Sequence, residues 1–109
     1  MERAYQFISQ FVSILDSDDI QHIGVIFHYL SGTFGNDLNE SQLVALTSLV
    51  QDIGFDSFLE SSIPQAIYNH KYIIVANQML TYNKLGRSIS ISKTTRRQAE
   101  LHLFTEGMK

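Results

Sequence analysis

The sequence predicts a mainly α-helical fold with one small β-hairpin, on three observations. Apolar residues recur at helical spacing over most of the first two thirds of the chain. Polar residues able to cap helices stand just before several of these stripes. Near the C-terminal end, Gly86 precedes a short stretch in which isoleucine and serine alternate.

The first stripe is Ala4, Phe7, Ile8, Phe11, Val12 and Leu15, which predicts a helix over 3–15. The run Asp16-Ser17-Asp18-Asp19 breaks that stripe and offers caps for a second helix over 19–31. Ile20, Ile23, Ile26, Phe27 and Leu30 would face inward there. Gly32, Gly35, Asn36 and Asp37 then mark a loop. Asn39 and Gln42 have capping-box spacing ahead of a third helix that turns Leu43, Leu46, Leu49, Val50 and Ile53 to the core. Gly54 suits the left-handed position after its end, and Asp56 can cap a short turn through Phe58 and Leu59.

Pro64 fits the first position of a fourth helix, expected over 64–78. The β-branched run Tyr72-Ile73-Ile74-Val75 suits a strand as well, so 72–82 stays open between the two. Residues 79–92 are expected to form the hairpin, with the turn at 83–86. Thr95 and Gln98 repeat the capping-box spacing and open a last helix carrying Ala99, Leu101, Leu103 and Phe104. At 109 residues this is one domain's worth of chain, 1–109, with N-terminal helices in 1–38 and the rest in 39–105.

Composition narrows the function classes. With no cysteine there is neither a disulfide framework nor a thiolate ligand or nucleophile. His22, His28, His70 and His102 are never three or four apart, so no metal site is expected and no cofactor is called for. The acidic run at 16–19 lacks the glycine and distal glutamate of a calcium loop. No serine sits in a nucleophile elbow and no glycine-rich phosphate loop occurs. On these grounds the expectation is a protein that is not an enzyme. No stretch approaches the roughly 20 apolar residues of a membrane span, and no leader pattern opens the chain, so the expected location is cytoplasmic with no membrane partner.

The net charge of −3 hides an uneven distribution. Residues 1–68 hold one base, Arg3, against nine acids, a net of −8. Residues 69–109 hold seven bases against Glu100 and Glu106, a net of +5. Either folding brings the halves together and neutralises them, or one half serves a charged partner. Phosphates are met by Lys and Arg, whereas Gln and Asn read adenine edges. The candidate nucleic-acid-binding residues are therefore Gln65, Asn69, Lys71, Lys84, Arg87, Lys93, Arg96 and Arg97. An alternative for Arg96 and Arg97 is a solvated helix face paired with Glu100. The stripe of Phe7, Ile8, Phe11 and Leu15 is either ordinary core or a dimer interface.

The order of three helices, a polar-faced helix, a hairpin and a closing helix resembles winged-helix DNA-binding domains. The stretch from Arg87 to Leu101 is similar to the second wing strand and following helix of MarR-type regulators. The stretch from Asn39 to Leu46 resembles the start of their helix-turn-helix region. The resemblance covers roughly 39–105 and makes 64–75 a recognition helix and 79–92 a wing. It implies a homodimeric transcription regulator acting on double-stranded DNA. The alternative is a protein-binding module, an antagonist, immunity protein or adaptor, that sets its acidic half against a basic partner.

Overall fold

The computed structural model describes residues 2–106 and 108. Seven helices and one two-stranded sheet follow in the order α1 (Glu2–Ile8), α2 (Ser17–Phe34), α3 (Glu40–Ile53), α4 (Phe55–Glu60), α5 (Ile63–Tyr68), α6 (Tyr72–Leu80), β1 (Lys84–Leu85), β2 (Ser88–Ile89) and α7 (Ile91–Glu106). The mainly helical class with a small hairpin is thus present.

Helix α3 is the axis of the molecule. All nine residues from Gln42 to Val50 are buried, so this helix is covered on every side. It packs against α7, α2, α1 and α4. The main core joins Leu30 and Phe34 of α2, Leu46 and Leu49 of α3, Phe58, Ile67, Val75 and Met79 of α4 to α6, and Phe104 of α7. A second cluster gathers Ala4 and Ile8 of α1 with Ile23 and Val44.

Two helix starts follow their caps. Asp16 accepts from the Asp19 N–H at 2.8 Å, and Asp19 accepts from the Asp16 N–H at 3.2 Å. Asn39 and Gln42 form the same reciprocal pair ahead of α3. Helix α2 therefore starts at Ser17 and not at 19, and Ile20 on its first turn is exposed. Gly54 closes α3 at φ 93° and ψ 157°, a conformation essentially confined to glycine.

Other expectations need correction. Helix α1 stops at Ile8, not at 15. The Ser9 hydroxyl donates to the Gln6 carbonyl at 2.7 Å, and the chain turns through Phe11. The helix expected over 64–78 is two helices. At their junction the Lys71 N–H reaches the Ala66 carbonyl and the His70 N–H reaches that of Ile67, with His70 at φ 56°. This is a Schellman ending with histidine in the left-handed position. The β-branched run 72–75 is helical. The hairpin is shorter than expected, because α6 continues to Leu80 and Ile91 already belongs to α7. Lys84 pairs with Ile89 and Leu85 with Ser88, so the turn is Gly86-Arg87, with Gly86 at φ 68°. The last helix starts at Ile91, where the Ser90 hydroxyl accepts from the Lys93 N–H, and not at a Thr95 cap.

Candidate functional site

The most concentrated polar chemistry lies between α3 and α7. Ser48 and Asp52 are one helical turn apart on α3, with Gln51 beside them. Lys93, Arg96, Arg97 and Glu100 fall at i, +3, +4 and +7 on the facing side of α7. Arg97 and Glu100 have fully buried side chains, and Arg96 is nearly so.

Each buried charge has partners, as burial demands. Arg97 Nη1 lies 3.1 Å from Asp52 Oδ2, and Arg97 Nη2 donates to Glu100 Oε2 at 3.0 Å. Arg97 Nη1 also donates to the Tyr82 carbonyl at 3.3 Å, tying the hairpin approach to α7. Arg96 Nη2 donates to the Ser48 carbonyl at 2.9 Å and to Gln51 Oε1 at 2.6 Å. Arg96 Nε contacts the Ser48 hydroxyl and Glu100, and the guanidinium sits 5.5 Å from the centre of the Phe11 ring. The Ser48 hydroxyl donates to Glu100. Lys93 closes the outer side with a 3.1 Å contact to Asp52.

These surroundings push the two carboxyls apart. Burial pushes the Glu100 carboxyl up, against the pull of Arg97, Ser48 and Arg96. Burial also acts to raise Asp52, but Arg96, Arg97 and Lys93 together overcome it and hold Asp52 below the usual carboxylate range. Asp52 keeps some exposure and opens, with Phe11, Ser92, Lys93 and Arg96, onto a groove of about 160 Å³. Glu100 is sealed from that groove, so it cannot protonate a bound molecule directly.

The eight expected nucleic-acid contacts do not form one surface of free cations. Lys93, Arg96 and Arg97 are spent on Asp52 and Glu100. For these three the neutralisation alternative describes the molecule. The Glu100 pairing of Arg96 and Arg97 is present, but on a buried face and not a solvated one. Gln65 and Asn69 are exposed at α5, whereas Lys71 lies beyond the break at His70, off that helix. Lys84 and Arg87 are exposed on the hairpin. In the N-terminal stripe, Ile8 is buried, Phe7 and Leu15 pack on the second core cluster, and Phe11 meets Phe7 edge-on at 5.5 Å. That arrangement is intramolecular packing.

Sequence reasoning missed Ser48, Gln51, Asp52 and Glu100 as one cluster. The signal was present in the spacing of Arg96, Arg97 and Glu100, which places one acid within reach of two guanidinium groups.

Two further features lie away from this wall. The Tyr72 hydroxyl donates to the Asp37 carbonyl at 2.8 Å and meets His70 Nδ1 at 3.0 Å, fastening the α5–α6 junction to the loop before α3. A wide apolar groove between α1 and α2 is lined by Tyr5, Gln21, Val25, His28 and Tyr29.

No curated protein matches the chain. The family described as phage lysozyme does match, over residues 13–100. That span runs from before α2 to Glu100 and takes in most of the α3–α7 wall. The match overturns the winged-helix, MarR-type reading, and with it the transcription regulator and its duplex DNA partner. It equally leaves the protein-binding alternative without support, and it replaces the expectation of a non-enzyme with a family named for its enzymatic activity. The resemblance misled because an order of helices around a hairpin is shared by unrelated folds. With well over half its length matched, the chain belongs to the phage lysozyme family.

Proposed function

We propose that this chain functions in lysozyme-type hydrolysis of peptidoglycan glycan strands. The observation that carries the reading is the family match over 13–100. The groove beside Asp52 supports it chemically. Phe11 lines the groove with an aromatic ring, while Ser92, Lys93 and Asp52 line it with polar groups that a sugar's hydroxyls can meet. Glycoside hydrolysis uses two carboxyl groups, one as acid and one as base or nucleophile. Asp52, held below the usual carboxylate range by three cations, is excluded as the acid, and Glu100 is sealed. This groove therefore supplies a carboxylate for substrate contact and not the proton donor. The sealed Glu100 serves to fix Arg96 and Arg97, which in turn set Asp52 at the groove.

The direct test is incubation of the full chain with purified peptidoglycan, followed by measurement of new reducing ends. Release is expected, and Asp52→Asn should lower it while helical circular dichroism is retained. Absence of reducing ends from peptidoglycans of several chemotypes would overturn the reading.

A further inference from the structure

The hairpin carries a combination that the α3–α7 wall does not use. Leu85, Ile89 and Ile91 are 71%, 68% and 86% exposed, among the most exposed large aliphatic side chains of the described residues. Three such residues fall within seven positions of the chain, on the hairpin and at its base. Lys84 and Arg87 stand among them, exposed, and neither forms an ion pair among the described residues. The α7 cations Lys93, Arg96 and Arg97 are instead paired with Asp52 and Glu100. Lys71 stands apart at the α5–α6 junction, whereas Lys84 and Arg87 stand within the same short segment as the exposed aliphatic side chains.

We propose that the β1–β2 hairpin, with Ile91 at its base, docks on the surface of an anionic phospholipid membrane. Each half of the chemistry points to that partner. Cations near an anionic leaflet are attracted by its surface potential, and long basic side chains keep their heads at the headgroups while their stems lie among apolar groups. Leucine and isoleucine gain only if an apolar phase receives them. A soluble polyanion would satisfy Lys84 and Arg87 and leave Leu85, Ile89 and Ile91 in water.

The register sets the mode of contact. Cross-strand partners share a face, so Lys84 and Ile89 project on one side and Leu85 and Ser88 on the other. No single face is wholly apolar, and the hairpin enters tip-first. Its outer strand edges keep backbone groups that need water, which limits entry to the headgroup and upper acyl region. This is a surface contact and not a span; among the described residues no helix is long and apolar enough to cross a membrane. The inference stands apart from the hydrolytic reading.

The test is co-sedimentation of the full chain with vesicles of phosphatidylglycerol and phosphatidylcholine in equal parts, against phosphatidylcholine alone. Binding is expected only to the anionic vesicles. Lys84→Gln with Arg87→Gln should weaken it about 30-fold, from roughly 1 kcal/mol per cation. Leu85→Ser with Ile89→Ser should weaken it by about tenfold or more, because the aliphatic burial is lost. All four positions are exposed, so unchanged thermal melting is expected in both variants. The chain has no tryptophan, so Leu85→Trp gives a single reporter whose emission should shift to the blue on anionic vesicles. No binding to anionic vesicles at low salt would overturn the proposal. So would a serine variant that binds like the wild type, or a tryptophan reporter that stays in water, since either leaves only attraction between bare charges.

Discussion

Arg97 and Glu100 face each other across one turn of α7 with no exposure on either side chain, Nε of one lying 2.6 Å from Oε1 of the other. That closest approach lacks hydrogen-bond geometry, and the directional bond runs from Nη2 to Oε2. Two charges so placed have given up their hydration, and their mutual attraction offsets that loss only while both are present. Arg97→Ala leaves Glu100 with the weaker partners Arg96 and Ser48, and strands part of its charge in the core. The expected cost is about 3–5 kcal/mol in urea denaturation. Replacing both, as Arg97→Met with Glu100→Leu, removes the stranded charge. Its cost should be smaller than the sum of the two single replacements, a non-additivity that a double-mutant cycle reads directly.

The same cluster makes stability depend on pH in two opposed ways. Asp52 titrates below its unfolded value, so its contribution is present above the ordinary carboxylate range and is lost as pH falls through the folded value. Glu100 titrates above its unfolded value, because burial makes its charged form costlier than in water and the attraction of Arg97 and Arg96 offsets that only in part. Its contribution is therefore present below the ordinary range and is lost as pH rises through the folded value. Asp52→Asn should flatten the acid limb of a plot of unfolding free energy against pH. Glu100→Gln should flatten a decline on the other side of the ordinary range. A wild-type curve that Asp52→Asn leaves unchanged on its acid limb would contradict the assignment.

At Gly54 the constraint is the backbone itself. A Cβ there meets nothing within 4 Å, so space is not the issue. With φ at 93° and ψ at 157°, an L side chain is strained whatever its size. Gly54→Ala should cost about 1–3 kcal/mol, whereas the same change at an open position with helical dihedrals would stabilise slightly. Thermal unfolding of the variant checks the sign.

Features carried by local chemistry were legible in the sequence. Asn39 and Gln42 declare their capping box, and Gly54 and Gly86 their positive φ, although the turn falls at 86–87 and not at the expected 83–86. The break at His70 was not legible, because histidine takes a left-handed position that glycine or asparagine usually signals. The buried wall was hidden for a different reason. Periodicity sorts residues by polarity, so it turned Arg96, Arg97 and Glu100 outward, while tertiary pairing with Ser48 and Asp52 turned them inward. The groove beside Asp52 joins residues from the N-terminal segment, α3 and α7, and spacing along the chain cannot place those together.

Arg96 and Lys93 offer a last comparison, between a guanidinium used for its shape and an ammonium used for its charge. Arg96 spreads donors over the Ser48 carbonyl, the Ser48 hydroxyl, Gln51 and Glu100, beside the Phe11 ring. A lysine keeps the charge but has no planar fork to reach these groups together. Arg96→Lys would leave the buried Ser48 carbonyl or Glu100 short of a donor, at about 1–3 kcal/mol for each neutral group unsatisfied. Lys93 holds Asp52 through one partly exposed head, and Asp52 keeps Arg96 and Arg97 without it. Lys93→Ala should therefore cost no more than about 1 kcal/mol. Urea unfolding of the two variants side by side should show the charge-conserving change as the more damaging one. If Lys93→Ala proves the costlier, the cluster depends on net charge at Asp52 and not on the geometry of the Arg96 fork.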